Sequence, residues 1–285
     1  MAPAVAGTAP AAHPATVAAQ RMPLWRGARP LKRWRYVGIF SEQLMACAAV
    51  VQVGPARQSF WALYPREAQH PESALPLRER TRLLPRARAL ALERGSLRIY
   101  DADVALDLRL EEDAGFETVC SHGRGLIWTR KQAGIAVHGT LALDGAPAQA
   151  IEARAVIDDT AGYHSRQTEW WWSAGVGHSP EGTPLAWNLV SGVNDPQSGS
   201  ERAVWVDGAP HEAPPVEFQD NLKAIDGGDG SRLRFHAEAE RSHSENLLIL
   251  SSDYRAPFGT FSGSLPGGIA LGHGLGVVEH HRARW

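Results

Sequence analysis

One pattern constrains this chain more than any other. From Trp34 onward, apolar or alternating runs of strand length follow one another, separated by Gly, Pro, Asn and Asp. Asp103 to Leu110 shows it most cleanly, with Val104, Leu106, Leu108 and Leu110 on one face and Ala105, Asp107 and Arg109 on the other. Similar runs cover Trp34 to Phe40, Leu44 to Val53, Arg57 to Tyr64, Gly125 to Thr129, Ala136 to Leu143, Ala148 to Ile157 and Gln167 to Val176. Leu185 to Val190, Arg202 to Val206, Leu233 to Ala239, Asn246 to Ser252, Gly259 to Ser264 and Gly276 to His281 continue the series. The one stretch that competes as a helix is Arg78 to Arg94, rich in Leu, Ala and Arg and broken near Pro85. So many short strands joined by tight turns predict an all-β, antiparallel fold whose sheets close or stack, because a single open sheet of that size would curl and leave its edges bare.

Composition narrows the class. The 285 residues, 44% hydrophobic and 21% charged, can bury a sizeable core as one large domain or two smaller ones. Twenty-nine basic against thirty-one acidic side chains leave a net charge of -2, so there is no field to gather nucleic acid, and none is expected as a partner. Arg21, Arg26, Arg29, Lys32, Arg33 and Arg35 all precede the first acid, Glu42; they read as a solvated lead-in to the first strand, or as an anion or membrane-surface contact. Cys47 and Cys120 form no framework and have no partner at metal-ligand spacing, which suits a reducing compartment. The N-terminal residues lack the basic start and apolar block of a secretory signal, and no stretch approaches the roughly twenty apolar residues of a membrane helix. The expectation is a cytoplasmic protein without membrane insertion, with a disordered tail over residues 1–21. The turn Asp144-Gly145-Ala146-Pro147 would divide the remainder into halves at 22–147 and 148–285, although a turn within one domain explains the same residues.

Chemistry concentrates where some of the ten tryptophans sit beside polar side chains, above all from Asp158 to Trp172. If His164 onward forms one strand, His164, Arg166, Thr168, Trp170 and Trp172 share a face, and Tyr163, Gln167, Glu169 and Trp171 share the other. Both faces mix rings with titratable groups, the composition of a polar-lined pocket wall. Asp158 and Asp159 point to opposite faces when extended. The inward one, enclosed by rings, would stay protonated near neutrality and donate a proton, with His164 and Tyr163 orienting it or moving the proton. Asp158 to Gly162 reads equally as a turn, and His164 as a satisfied core or surface histidine. Trp128, Arg130 and Gln132 share a further face, and Trp187-Asn188 and Asn194-Asp195 set amides and a carboxylate at a strand end. An inward Arg130 demands an anionic ligand or a carboxylate, with Asp159, Glu169 and Glu201 as candidates. The candidate ligand-binding set is Trp128, Arg130, Arg166, Glu169, Trp170, Trp172, Trp187, Asn188 and Asn194. His280 and His281 diverge in a strand, and Gly272 to Gly276 lacks the strand, turn and helix of a dinucleotide site, so no metal or cofactor is expected.

Several of these segments together resemble a bacterial family defined as a domain of unknown function, the 2804 family. They are Lys32 to Gly38, Trp128 to Lys131, Asp158 to His164, Trp187-Asn188, Gly192 to Asp195, Pro257 to Gly259 and the terminal Glu279-His280-His281. More distantly the chain is similar to the lipocalin-like superfamily of carotenoid hydratases, tocopherol cyclases and certain pericyclases. That resemblance implies two lipocalin-like (calycin-like) β-barrel or sandwich halves around an apolar ligand, and it transfers no catalytic residue. The functional expectation is a cofactor-independent enzyme acting on a hydrophobic isoprenoid, lipid or polyketide-like molecule by proton-initiated hydration, cyclisation or isomerisation. Tryptophan rings would stabilise the positive charge. The alternatives are a non-catalytic carrier or sensor of such a ligand and, with an exposed apolar patch, a protein interaction module.

Overall fold

A computed structural model of the chain describes residues 18–66, 77–83, 89–101, 103–247 and 250–284. A hairpin of β1 (Trp25–Arg26) and β2 (Arg29–Pro30) leads into a first sheet. That sheet contains β3 (Lys32–Phe40), β4 (Leu44–Val53), β5 (Ala56–Pro65), β6 (Arg78–Leu83), β7 (Leu90–Glu93), β8 (Ser96–Asp101), β9 (Val104–Leu110), β10 (Phe116–His122), β11 (Gly125–Leu143) and β12 (Gln149–Gly162). A second sheet contains β13 (Gln167–His178), β14 (Pro184–Ser191), β15 (Ala203–Val206), β16 (Ala209–Glu212), β17 (Val216–Phe218), β18 (Ala224–Gly227), β19 (Arg232–Leu247), β20 (Leu250–Leu265) and β21 (Ile269–Arg284). The fold is all-β and antiparallel, built as two curled half-barrels.

The sheets run β6-β5-β4-β3-β12-β11-β9-β8-β7, with β10 on the free part of β11, and β16-β15-β14-β13-β21-β20-β19-β18-β17. The same path is used twice: four strands step outward, the chain crosses to the far edge, and the last strand returns to pair with the first. No sequence repeat marks this duplication. The break between sheets falls at residues 163–166; the Asp144–Pro147 turn only joins β11 to β12, both of which pair within the first sheet.

Several strands are longer than their polar interruptions suggested. Arg130, Lys131 and Gln132 bridge two expected runs because each finds a carboxylate partner. Asp158 to Gly162 is extended, with Asp158 opposite both Tyr36 and Lys131, so the turn reading does not hold. Of the stretch that competed as a helix, Arg78–Leu83 is an edge strand on β5 and Leu90–Glu93 pairs with β8; the sheet edges supply backbone partners that outweigh a weak propensity. Residues 84–88, around Pro85, lie outside the described residues, as do residues 1–17 of the expected tail. Ala18 to Gln20 is helical, with Ala19 buried and its carbonyl accepting a 2.7 Å bond from Arg33 Nη2. The strand expected over Asn246 to Ser252 spans the reversal between β19 and β20, of which residues 248–249 are not described. Among the described residues no helix is long and apolar enough to cross a membrane.

Strand alternation sorts the apolar residues into three cores. Val37, Ile39, Leu106, Leu108, Val137 and Ile157 fill the first half, and Leu185, Trp187, Val204, Phe235 and Phe261 fill the second. The third joins the sheets, with Tyr36, Phe40, Met45, Cys47 and Val156 meeting Trp172, Val190, Tyr254, Phe258 and Val277. Burial pushes the Cys47 thiol up to about 11, so it serves as a packing residue. A bulge at Gly134, φ 78°, reverses the alternation of β11. Ala133 before it joins the core between the sheets, whereas Ile135 and Val137 after it face the first-half core.

Gly175 is fixed by close packing: a Cβ there would run into the Trp187 ring and the Leu275 carbonyl. Trp187 cannot give way, being fully buried and tied by its Nε1, which donates to Ser173 Oγ at 3.1 Å. Gly175→Ala is expected to destabilise the fold by about 1–3 kcal/mol. It should appear as a lower urea midpoint at unchanged m-value.

Candidate functional site

Between the two sheets lies a cavity of about 380 Å³, within the range of roughly 300–1,000 Å³ usual for small-molecule sites. Ala49, Val51, Phe60, Val190, Val193 and Trp172 make its apolar wall, and exposed Ala56, Arg57 and Arg284 stand at its rim. Two polar groupings break the apolar lining.

The first arises from cross-strand pairing. Lys131 of β11 lies directly opposite Asp158 of β12, and its Nζ is 2.8 Å from Asp158 Oδ1 and 3.2 Å from Glu201 Oε1. Asp158 also accepts bonds from Trp34 Nε1 at 3.0 Å and Thr160 Oγ1 at 2.8 Å. Lys131 is 1% exposed. Burial works against its charge, but the two carboxylates hold the ammonium above its ordinary value. Burial in turn raises the Glu201 carboxyl, against the pull of Lys131.

The second grouping centres on Glu279. It sits on β21 opposite Trp172, on a face whose earlier residues Leu275 and Val277 are core. Trp170 Nε1 donates to Glu279 Oε1 at 2.7 Å. Burial raises the Glu279 carboxyl to about 7, opposed by the Trp170 bond and assisted by the Asp158 charge. No cation of the described residues forms an ion pair with it. His281, two residues on, tilts against Trp170 at 4.2 Å and shares a 2.8 Å bond with Ser252 Oγ, which steadies the indole that holds the carboxyl. Arg241 lies 4.1 Å over Phe60 and 5.0 Å over Tyr254, while its Nε pairs outward with Glu79 at 3.2 Å.

His164 and His281 are both lowered by burial to about 3. A histidine depressed in the folded state stabilises the fold above its unfolded pKa and loses that contribution as pH falls. Stability should therefore decline from about pH 6.5 toward pH 3, by about 1.4 kcal/mol per pH unit for fully buried His164. Urea unfolding at pH 7, 6 and 5 should show a shallower decline in His164→Phe than in the wild type.

Of the residues expected to form a site, Asp158, His164, Trp170, Trp172 and Asn194 line the cavity. Asp159 lies on the opposite face of β12, where it accepts bonds from Arg35 at 2.8 Å and Arg130 at 2.6 Å beside Glu112, which also pairs with Arg35. Arg130 is thereby satisfied away from the cavity, and Trp128, on its face of β11, donates to Glu117 at 2.9 Å. Tyr163 Oη donates to the Pro23 carbonyl at 2.7 Å. Arg166 precedes β13 and is exposed, and Glu169 faces outward to His280 and Arg282. Trp187 belongs to the second-half core. Asn188 acts from behind the wall, accepting from Trp172 Nε1 and donating to the Glu201 carbonyl, each at 2.8 Å. Lys131, Glu201, Arg241, Tyr254, Glu279 and His281 also line the cavity without having been singled out as site residues. The alternation Leu275, Val277, Glu279, His281 was the available signal: an apolar face that turns acidic.

Two solved structures are similar to this chain throughout. An AttH-like protein from Nitrosomonas europaea aligns over 98% of each chain, with a TM-score of 0.54 and 12% identity. Kievitone hydratase from Nectria haematococca aligns over 87% of this chain and 88% of its own, with a TM-score of 0.52 and 13% identity. At such identity the likeness is one of fold, the two-half lipocalin-like arrangement. No curated protein matches the chain in sequence. The family model described as Domain of unknown function (DUF2804) matches residues 86–285, which include Lys131, Asp158, His164, Trp170 and Glu279; the chain belongs to this family.

Proposed function

We propose that the protein is a cofactor-independent enzyme that protonates a hydrophobic small molecule, with Glu279 as the acid, leading to hydration, cyclisation or isomerisation. One observation carries this reading: a carboxyl enclosed on the wall of an apolar cavity, held by an indole N–H and paired with no cation among the described residues. Such a carboxyl keeps its proton near neutrality and meets substrate away from bulk water. The Glu279 proton passes to a substrate carbon, leaving a carboxylate, and positive charge develops on the substrate beside the faces of Trp170, Trp172 and Tyr254. Asp158, pinned by Lys131, Trp34 and Thr160, adds negative charge from the other side. Water then adds and gives up a proton to the Glu279 carboxylate, or a neighbouring C–H, with or without ring closure, returns one to it. The fold shared with a protein named as a hydratase agrees with this chemistry.

The test is to incubate the protein in D2O with a hydrophobic extract of its source cells and recover bound molecules for mass spectrometry. The expected product carries deuterium at carbon. A ligand returned unchanged and undeuterated would make the protein a carrier.

A further inference from the structure

Two buried side chains at one end of the cavity end in polar atoms that no described residue satisfies. Asn194 is 5% exposed and sits in the loop after β14, with φ 53°, a left-handed conformation that asparagine tolerates. Its Nδ2 donates to Glu201 Oε2 at 2.8 Å, which leaves Oδ1 buried without a partner. His164 is 1% exposed, and neither ring nitrogen makes a well-aligned hydrogen bond. The polar group it does approach is the Gly162 carbonyl, which can take only an N–H, so a neutral imidazole there keeps one bare acceptor nitrogen. Both residues belong to the β10 side of the cavity: Cys120 Sγ is 3.9 Å from the Asn194 carbonyl, and His122, two residues along the same face, has its ring 5.9 Å from that of His164.

The neighbouring carboxylates are acceptors as well. Asp158 and Glu201 already take up Lys131, Trp34, Thr160 and the Asn194 amide. An ether or a carbonyl would meet them lone pair to lone pair. An ammonium would be repelled by Lys32, whose Nζ lies 3.3 Å from the His164 carbonyl. We infer that this end of the cavity binds neutral hydroxyl donors, one O–H for Asn194 Oδ1 and one, from the substrate or a water, for the bare His164 nitrogen, so that the substrate is a hydrophobic molecule carrying an O–H at this end with its apolar body toward Glu279. The inference rests on the cavity being the substrate site.

Tryptophan fluorescence quenching with 2-naphthol, 2-methoxynaphthalene, naphthalene and 2-naphthylmethylamine tests it. 2-Naphthol should bind at least about tenfold more tightly than 2-methoxynaphthalene, because only the first can donate. Asn194→Gly keeps the left-handed backbone and removes the amide; the ratio should fall, and fall toward one when His164→Phe is added. His164→Phe, which keeps a ring in the wall, should also reduce the ratio. Equal binding of naphthol and its methyl ether, a preference for the amine, or a ratio that survives both substitutions would each overturn the hydroxyl assignment and leave the role of Glu279 untouched. Binding of none of the four would overturn the substrate-site reading itself.

Discussion

Glu279→Gln is expected to lose about 100- to 10,000-fold in turnover while apolar ligands bind as before. Glutamine preserves shape and can still accept the Trp170 N–H bond, 2.7 Å in the wild type, but it has no proton to give to carbon. The pH dependence makes the result specific. With the Glu279 carboxyl raised to about 7, wild-type turnover should hold at lower pH and fall about tenfold per pH unit above 7, and Glu279→Gln should lack that limb. Stability should respond in the corresponding sense. An acid raised in the folded state contributes fully below its unfolded pKa, and the contribution is lost as pH rises through the folded value. The wild type should therefore lose stability relative to the glutamine variant as pH rises toward about 7. Single-turnover kinetics on the recovered ligand and urea unfolding between pH 5 and 9 read both effects. Full turnover in Glu279→Gln with the same pH profile would remove it from the mechanism.

Lys131→Met should destabilise the fold by about 3–5 kcal/mol, because it leaves Asp158 and Glu201 buried without the cation they share. The ammonium is 2.8 Å from one carboxylate and 3.2 Å from the other, and the lysine is 1% exposed, so solvent offers little replacement. The triple variant Lys131→Met, Asp158→Asn, Glu201→Gln should regain most of the loss, since it removes the stranded charges along with their partner. Urea midpoints of the four proteins check this, with Asp158→Asn, Glu201→Gln as the fourth. A single Lys131→Met variant within about 1 kcal/mol of wild type would mean that water reaches these carboxylates.

Alternation along a strand is a local property, and its direct consequences were legible in the sequence. The all-β class, the separation of Asp158 from Asp159, and the shared face of Trp170 and Trp172 each need only a period of two. Which face meets which surface is not local. Asp158 rather than Asp159 reaches the cavity because β12 lies between β3 and β11, where its even residues look toward the second sheet. Arg130 is turned away and Lys131 inward on the cavity side of a bulge that one glycine sets, and no hydropathy pattern announces it. Glu279 stood outside the candidate set because its partner Trp170 lies 109 positions earlier in the chain. The sequence by itself thus determined which residues could share a face. Only the tertiary structure decided which faces meet across the cavity, because burial, ion pairing and the shift of a carboxyl's pKa depend on neighbours brought together by sheet pairing.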